Sequence, residues 1–418
     1  MVDTSSGASL DPSTGGPLSA GLDVASWDPA VRVQDDLYRH VNGRWLAEAT
    51  IPADRARSGA FLDLVDGAEA AVRALVEESQ QAEPGTEARK IGDLYTSFMA
   101  EDRIEELGAE PLAEPLALVA ATRSIGEVLD VLGSLERTGA GSLLQLFVDN
   151  DPGDPDRYLV FVEQGGIGLP DERYYRDDAF QPHRDAYRTF LATIYSLAGL
   201  TEPETRADRV LALETEIAAQ HWDAVRTRDV QATYNPTSWA ALVADAGEHG
   251  ALLEAWAAGL SAPVGALDEI VVREPSFLTG VLGLLTADRL EAWRDWLAAR
   301  VIRPLAPYLS SPFVDAHFAF TGTALTGAEE VKARWKRGVA LAEGALGEAV
   351  GRLYVERHFP PIAKVRMDVL VANLVAAYRS SIGSLDWLGD ETRAKALTKL
   401  AKFTPKIGYP VKWRDYSR

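Results

Sequence analysis

The stretch Pro361–Tyr378, PIAKVRMDVLVANLVAAY, decides how the chain is to be read. Its apolar residues Val365, Val369, Leu370, Leu374 and Tyr378 recur at helical spacing, which reads as one stripe of an α-helix. An extended strand would instead throw alternate residues to opposite faces. Most of the chain has this helical spacing. Three T/S-x-x-E stretches, Ser124–Glu127, Thr201–Glu204 and Thr326–Glu329, have the pattern of capping boxes, in which hydroxyl and carboxylate satisfy the free backbone donors of a helix start. Asp390 is placed to cap a last helix through Thr392, Ala396, Leu397 and Leu400.

One region departs from this pattern. SLLQLFVDN and YLVFVEQGG flank the turn-rich DPGDPDR, and both flanks are β-favouring. The expectation is a mainly α fold, a multi-helix lobe with one small β-hairpin near residues 142–165. The first 30 residues, rich in Ser, Gly and Pro, read as a flexible arm with no basic-then-apolar secretory signal. No apolar run reaches the ~18 residues a membrane span needs.

The chain has 418 residues, no cysteine and a net charge of −20. Without cysteine there are no disulfides, Cys-ligated metal sites or thiol nucleophile, which suits a cytoplasmic protein. The acidic balance argues against non-specific nucleic-acid binding. From Val331 onward, however, there are 17 Lys and Arg against 8 Asp and Glu. This basic end is either one of two differently charged surfaces or a face for an acidic partner.

Catalytic motifs are sparse. None of the six histidines opens an H-e-x-x-H pair. The nearest metal-like grouping, Glu214, Glu216, His221 and Asp223, does not share a helix face and reads as a solvated helix end. GGIGLP (165–170) lacks the third glycine and the strand–helix context of a phosphate loop and is taken as a turn. No G-x-S-x-G elbow is present. Asn42-Gly43 reads as a turn, and Trp45, Trp335, Trp387 and Trp413 as core anchors. Arg334 and Arg337 read as partners of structural carboxylates. The closing KIGYPVKWRDYSR places Ile407, Tyr409, Trp413 and Tyr416 in an extended segment that reads as a junction.

Asp35–Asp66, DDLYRHVNGRWLAEATIPADRARSGAFLDLVD, closely resembles the opening of the neprilysin and endothelin-converting-enzyme family of zinc metallopeptidases. IGDLYTSFM (91–99), GIGLPDERYY (166–175), YNPTSWAAL (234–242), RWKRGV (334–339), LGEAVGRLYVERHF (346–359), TRAKALTKL (392–400) and KIGYPVKWRDYS follow in the family's order. The absence of cysteine is similar to the family's bacterial branch. The resemblance implies that residues 31–406 are the N-terminal helical lid of a two-lobed peptidase, and that 407–418 lead toward a catalytic zinc domain. It implies zinc in the complete enzyme and peptide substrates. This chain carries neither the H-e-x-x-H nor the third zinc ligand, so no metal-ligating or catalytic residue is assigned, and by the resemblance it binds no zinc and is inactive alone. It would serve by limiting which peptides enter the cavity, with the catalytic domain joined in cis or in trans. The other reading is a stand-alone, non-catalytic module that binds peptides or a partner. Arg57, two residues before Gly59, matches the family arginine that receives a substrate's terminal carboxylate, and Arg55 competes for the role.

Overall fold

The chain alternates helices with short connections, and its computed structural model describes residues 24–139 and 141–417. The arm expected up to residue 30 lies for the most part outside the described residues. Two units separate, Met1–Asp66 and Gly67–Arg418. In the first, the helix Leu37–Glu48 is capped by Asp36, whose carboxylate accepts from the Arg39 N–H at 2.9 Å. Asn42 and Gly43 lie inside this helix and do not form a turn. Gly43 is required by close approach instead, because a Cβ there would stand 2.5 Å from the Cβ of Asp28.

The second unit holds the main core, in which Trp256, Trp293, Trp296, Tyr187, Tyr195, Phe277, Phe313 and Phe320 are fully buried. A smaller core joins the helices Ala60–Ser79, Glu87–Met99 and Arg334–His358 through Val72, Val76, Ile91, Tyr95, Val339, Ala342 and Val350. The four tryptophans expected as anchors are elsewhere. Trp45, Trp335 and Trp413 are half-buried and Trp387 is 77% exposed. Size alone does not bury an indole; it needs a helix with neighbours on that face.

The hairpin is present as β1 (Leu144–Asp151) and β2 (Asp154–Gln164), antiparallel with Val148 opposite Val160. It is half of a four-stranded sheet. β3 (Pro236–Ser238) and β4 (Glu269–Val272) complete the order β1-β2-β4-β3, with β4 parallel to β2. Segments of three and four residues are too short to show a period, and Ile270, Val271 and Val272 are buried alike.

Helix ends follow the expected signals unevenly. Ser124 caps Ile125–Glu136, with its Oγ accepting from the Glu127 N–H at 3.2 Å while Glu127 accepts from the Arg123 N–H at 2.7 Å. Helix Pro203–Ala218 starts after a left-handed Glu202, without a side-chain cap. The Thr326 hydroxyl donates back to Gly322 O, and no helix starts there. Asp390 is the first helical residue of Asp390–Ala401, behind Gly389.

The helices Ile125–Glu136 and Gly250–Leu260 cross almost backbone to backbone. A Cβ on Gly133 would stand 2.3 Å from Trp256 O, and one on Gly259 2.0 Å from Asp130 O. Gly259→Val is therefore expected to destabilise by about 1–3 kcal/mol or more through forced separation of the pair. A urea midpoint equal to wild type would refute the contact.

The stripe that opened the reading lies on the helix Pro361–Ser384, yet none of that helix is buried. Val365, Val369, Leu370, Leu374 and Tyr378 are all exposed, from 48% to 62%. Among the described residues no helix is long and apolar enough to cross a membrane.

Candidate functional site

The segment between Leu37–Glu48 and Ala60–Ser79 carries both candidate arginines. Arg55 is committed: its guanidinium donates to Asp66 and lies 3.9 Å from Asp54, with only 11% of its side chain exposed. Arg57 is exposed and makes no hydrogen bond or ion pair with any described residue. Beyond it, the first turns of the next helix expose Phe61 at 85% and Leu64 at 70%.

The metal-like group Glu214, Glu216, His221 and Asp223 is pulled apart. Glu214 is fully buried and accepts from Tyr175 Oη at 2.6 Å, from Tyr187 Oη at 3.1 Å and from the Gly168 N–H at 2.9 Å. Glu216 pairs with Arg289 at 2.5 Å. His221 Nε2 donates to Gly165 O at 2.8 Å, and burial holds its pKa down, so the ring is neutral. Asp223 accepts from the Val225 and Arg226 N–H groups. Among the described residues no three His, Asp or Glu side chains come together as a metal requires. The zinc that the resemblance implies therefore finds no fitting donor set among them.

The glycine-rich turn follows β2, as expected. Gly166 adopts φ +88°, its N–H donates to Ser142 O at 3.0 Å, and its carbonyl accepts from Trp296 Nε1 at 2.9 Å. Beside it is a cavity of about 630 Å³ lined by Glu136, Gln164, Gly165, Glu172, His221 and Arg300 among others. Burial pushes the Glu136 carboxyl up to about 7, against hydrogen bonds from Ser142 and from Trp256 that pull it down. Because the folded value lies above the usual 4.5, this group's contribution to stability is full below that value and is lost as pH rises through about 7. Between about pH 5 and about pH 8, the wild-type melting temperature should fall more than that of Glu136→Gln. Parallel curves for the two proteins would refute this.

The closing segment folds back on the second unit. Tyr409 stacks on Trp413 with centroids 5.9 Å apart and meets Phe359 edge-on. Lys364 Nζ donates to Ile407 O at 2.6 Å, Lys90 Nζ donates to Tyr416 O at 2.5 Å, and the Tyr416 N–H reaches Glu87 at 3.1 Å. Ile407, Tyr409, Trp413 and Tyr416 are thus half-buried, and the exposed apolar surface is the neighbouring helix. Arg334 holds Phe98 O at 2.6 Å and lies 3.5 Å from Glu101, whereas Arg337 leaves Nε and Nη1 unbonded.

Residues 33–410 match the model of peptidase family M13. The fold superposes with a TM-score of 0.88 on the crystal structure of Mycobacterium tuberculosis zinc metalloprotease ZMP1 in complex with an inhibitor. That chain is 45% identical, and the match covers 95% of this chain and 60% of the other. The human membrane metallo-endopeptidase-like 1 is 25% identical over 94% of this chain and 53% of its own length. The neutral endopeptidase of Lactobacillus helveticus is 26% identical over 93% and 60% respectively. The chain thus spans between about half and three-fifths of the length of these relatives.

Proposed function

Because the chain belongs to peptidase family M13, we propose that it is the helical lid of a neprilysin-like zinc metalloendopeptidase that acts on short peptides in the cytoplasm. In this reading the lobe covers the cavity and limits the size of substrate. A catalytic zinc domain, in cis or in trans, packs against the helix Pro361–Ser384 and its surroundings. The observation that carries the reading is that helix's set of exposed apolar side chains, Val365, Val369, Leu370, Leu374 and Tyr378. Several large apolar side chains left in water on one helix are what a partner surface looks like before its partner is added. The basic balance after residue 330 supports an acidic counterpart. Zinc and the hydrolytic step belong to the partner domain, and no step is assigned to residues of this chain.

Arg57 receives the terminal carboxylate of the peptide. Its exposed, unengaged guanidinium supports the role, and the pairing of Arg55 with Asp66 favours Arg57 over it. The test is peptide binding and cleavage by the chain alone. It should show no cleavage of a fluorogenic peptide. It should bind a short peptide with a free C-terminus roughly tenfold or more tighter than Arg57→Ala does, since a charge-assisted fork is lost. Equal binding of the amidated peptide, or chelator-sensitive cleavage by the chain alone, would overturn the reading.

A further inference from the structure

Around the buried Glu214 of the second unit, two guanidiniums face one carboxylate. Arg300 and Arg303, one helical turn apart on Leu290–Leu305, share a single carboxylate neighbour, Glu214. That carboxylate is already occupied by two tyrosine hydroxyls and a backbone N–H. It stands 3.6 Å from Arg300 Nη2, and the Nε and Nη2 of Arg300 are buried without a hydrogen-bond partner. Arg300 forms no hydrogen bond with any described residue and rests over the Trp296 ring at 4.8 Å. Arg303 donates to Tyr187 Oη at 3.0 Å and Gly168 O at 2.9 Å, both neutral, so three of its five donors stay free.

Arg300 and Arg303 line a cavity of about 260 Å³ together with Gly141, Phe190, Pro304, His317 and Thr321. Thr321 belongs to the π-helical stretch Ala319–Ala324, an uncommon geometry that recurs at functional sites. Its hydroxyl donates to His317 O at 2.8 Å and faces His317 Nδ1 at 3.2 Å. Gly141 and Arg300 also border the larger cavity, but the carboxylates there have other partners. Glu172 faces Arg176 at 3.3 Å, Glu163 faces Arg273 at 3.6 Å, Asp171 faces Arg173 at 3.2 Å, and Glu136 accepts from Trp256 at 3.2 Å.

We propose that this smaller cavity binds a small oxyanion, a carboxylate or a phosphate, held by Arg300 and Arg303. Two guanidiniums against one carboxylate leave one positive charge unbalanced, and a bound oxyanion would satisfy the open donors and balance that charge at once. The space suits an ion or a short acid and is too small for a folded partner.

Thermal shift and calorimetry on the full chain test it, with inorganic phosphate and acetate as separate arms and sodium chloride at matched ionic strength as the baseline. Saturable stabilisation by phosphate, by acetate or by both supports the site and identifies its ligand. Arg300→Met should weaken that binding roughly tenfold or more, because charge-assisted bonds are removed. Thr321→Leu, on the wall of the same cavity and hydrogen-bonded to neither arginine, should weaken it as well, and it serves if Arg300→Met does not fold. No saturable effect from either anion, or undiminished binding in the folded variants, would overturn the proposal.

Discussion

Glu214→Ala should lower the stability of the protein by about 3–5 kcal/mol, the cost of leaving a buried ion without its counter-charge. The carboxylate is fully buried, and it is the acceptor for Tyr175 Oη, Tyr187 Oη and the Gly168 N–H. Its removal strands those donors and leaves Arg300 and Arg303 with no carboxylate beside them. Burial and the Glu214 charge hold both tyrosine hydroxyls above their ordinary pKa, so they remain donors throughout the working range. Glu214→Gln keeps the volume and one acceptor oxygen but not the charge, and should lose less. Urea denaturation of the two variants measures the difference. A Glu214→Ala midpoint equal to wild type would show that the network contributes nothing, and a total stability of ~5–15 kcal/mol makes the expected loss hard to miss.

The second large effect concerns the exposed helix. Glutamate at Val369 and Leu374 should abolish association of the chain with a separately produced family catalytic domain. Central apolar anchors of an interface each cost about 2 kcal/mol or more when removed, which is roughly thirtyfold in affinity per site. The same variant should bind less of a hydrophobic probe dye, because Val365, Val369, Leu370, Leu374 and Tyr378 are all exposed on this helix. Its own fold should be unaffected, since no residue of Pro361–Ser384 is buried. Association of the wild type should weaken with salt, given the basic balance after residue 330. Deleting 407–418 should change dye binding less than the double substitution does, because those side chains are half-buried against Phe359, Lys90 and Glu87. Unchanged dye binding and unchanged association in the double variant would remove this helix as a docking face.

The motif order from Asp35 to the closing KIGYPVKWRDYS was legible in residues alone, and the match of 33–410 to one family model bears it out. Helix existence was legible too, because a 3.6-residue period over Pro361–Tyr378 is a local property of the chain. So was the hairpin, since Val148 and Val160 lie in β-rich flanks joined by a turn. Local pattern does not say what covers a face. The same stripe that predicts a helix predicts burial equally well, and only the tertiary structure leaves it in water. Trp387 is exposed while Trp256, Trp293 and Trp296 are buried, for the same reason. β4 forms along the edge of β2 and β3 along that of β4, not because three or four residues prefer extension by themselves.

The candidate sites divide along the same line. Arg57 was reached by motif, and its freedom from ion pairing was decided by where Asp66 meets Arg55. The Arg300, Arg303 and Glu214 cluster left only a faint trace in sequence, two arginines three apart in a helix rich in leucine, alanine and tryptophan. Charge balance in an interior is a sum over elements distant in the chain, here Tyr175, Glu214, Arg300 and the π-helical stretch at Thr321. Residue type and spacing set which segments curl into helices. Packing sets which charges end up out of water together, because the cost of an unpaired ion depends on the neighbours that exclude the solvent.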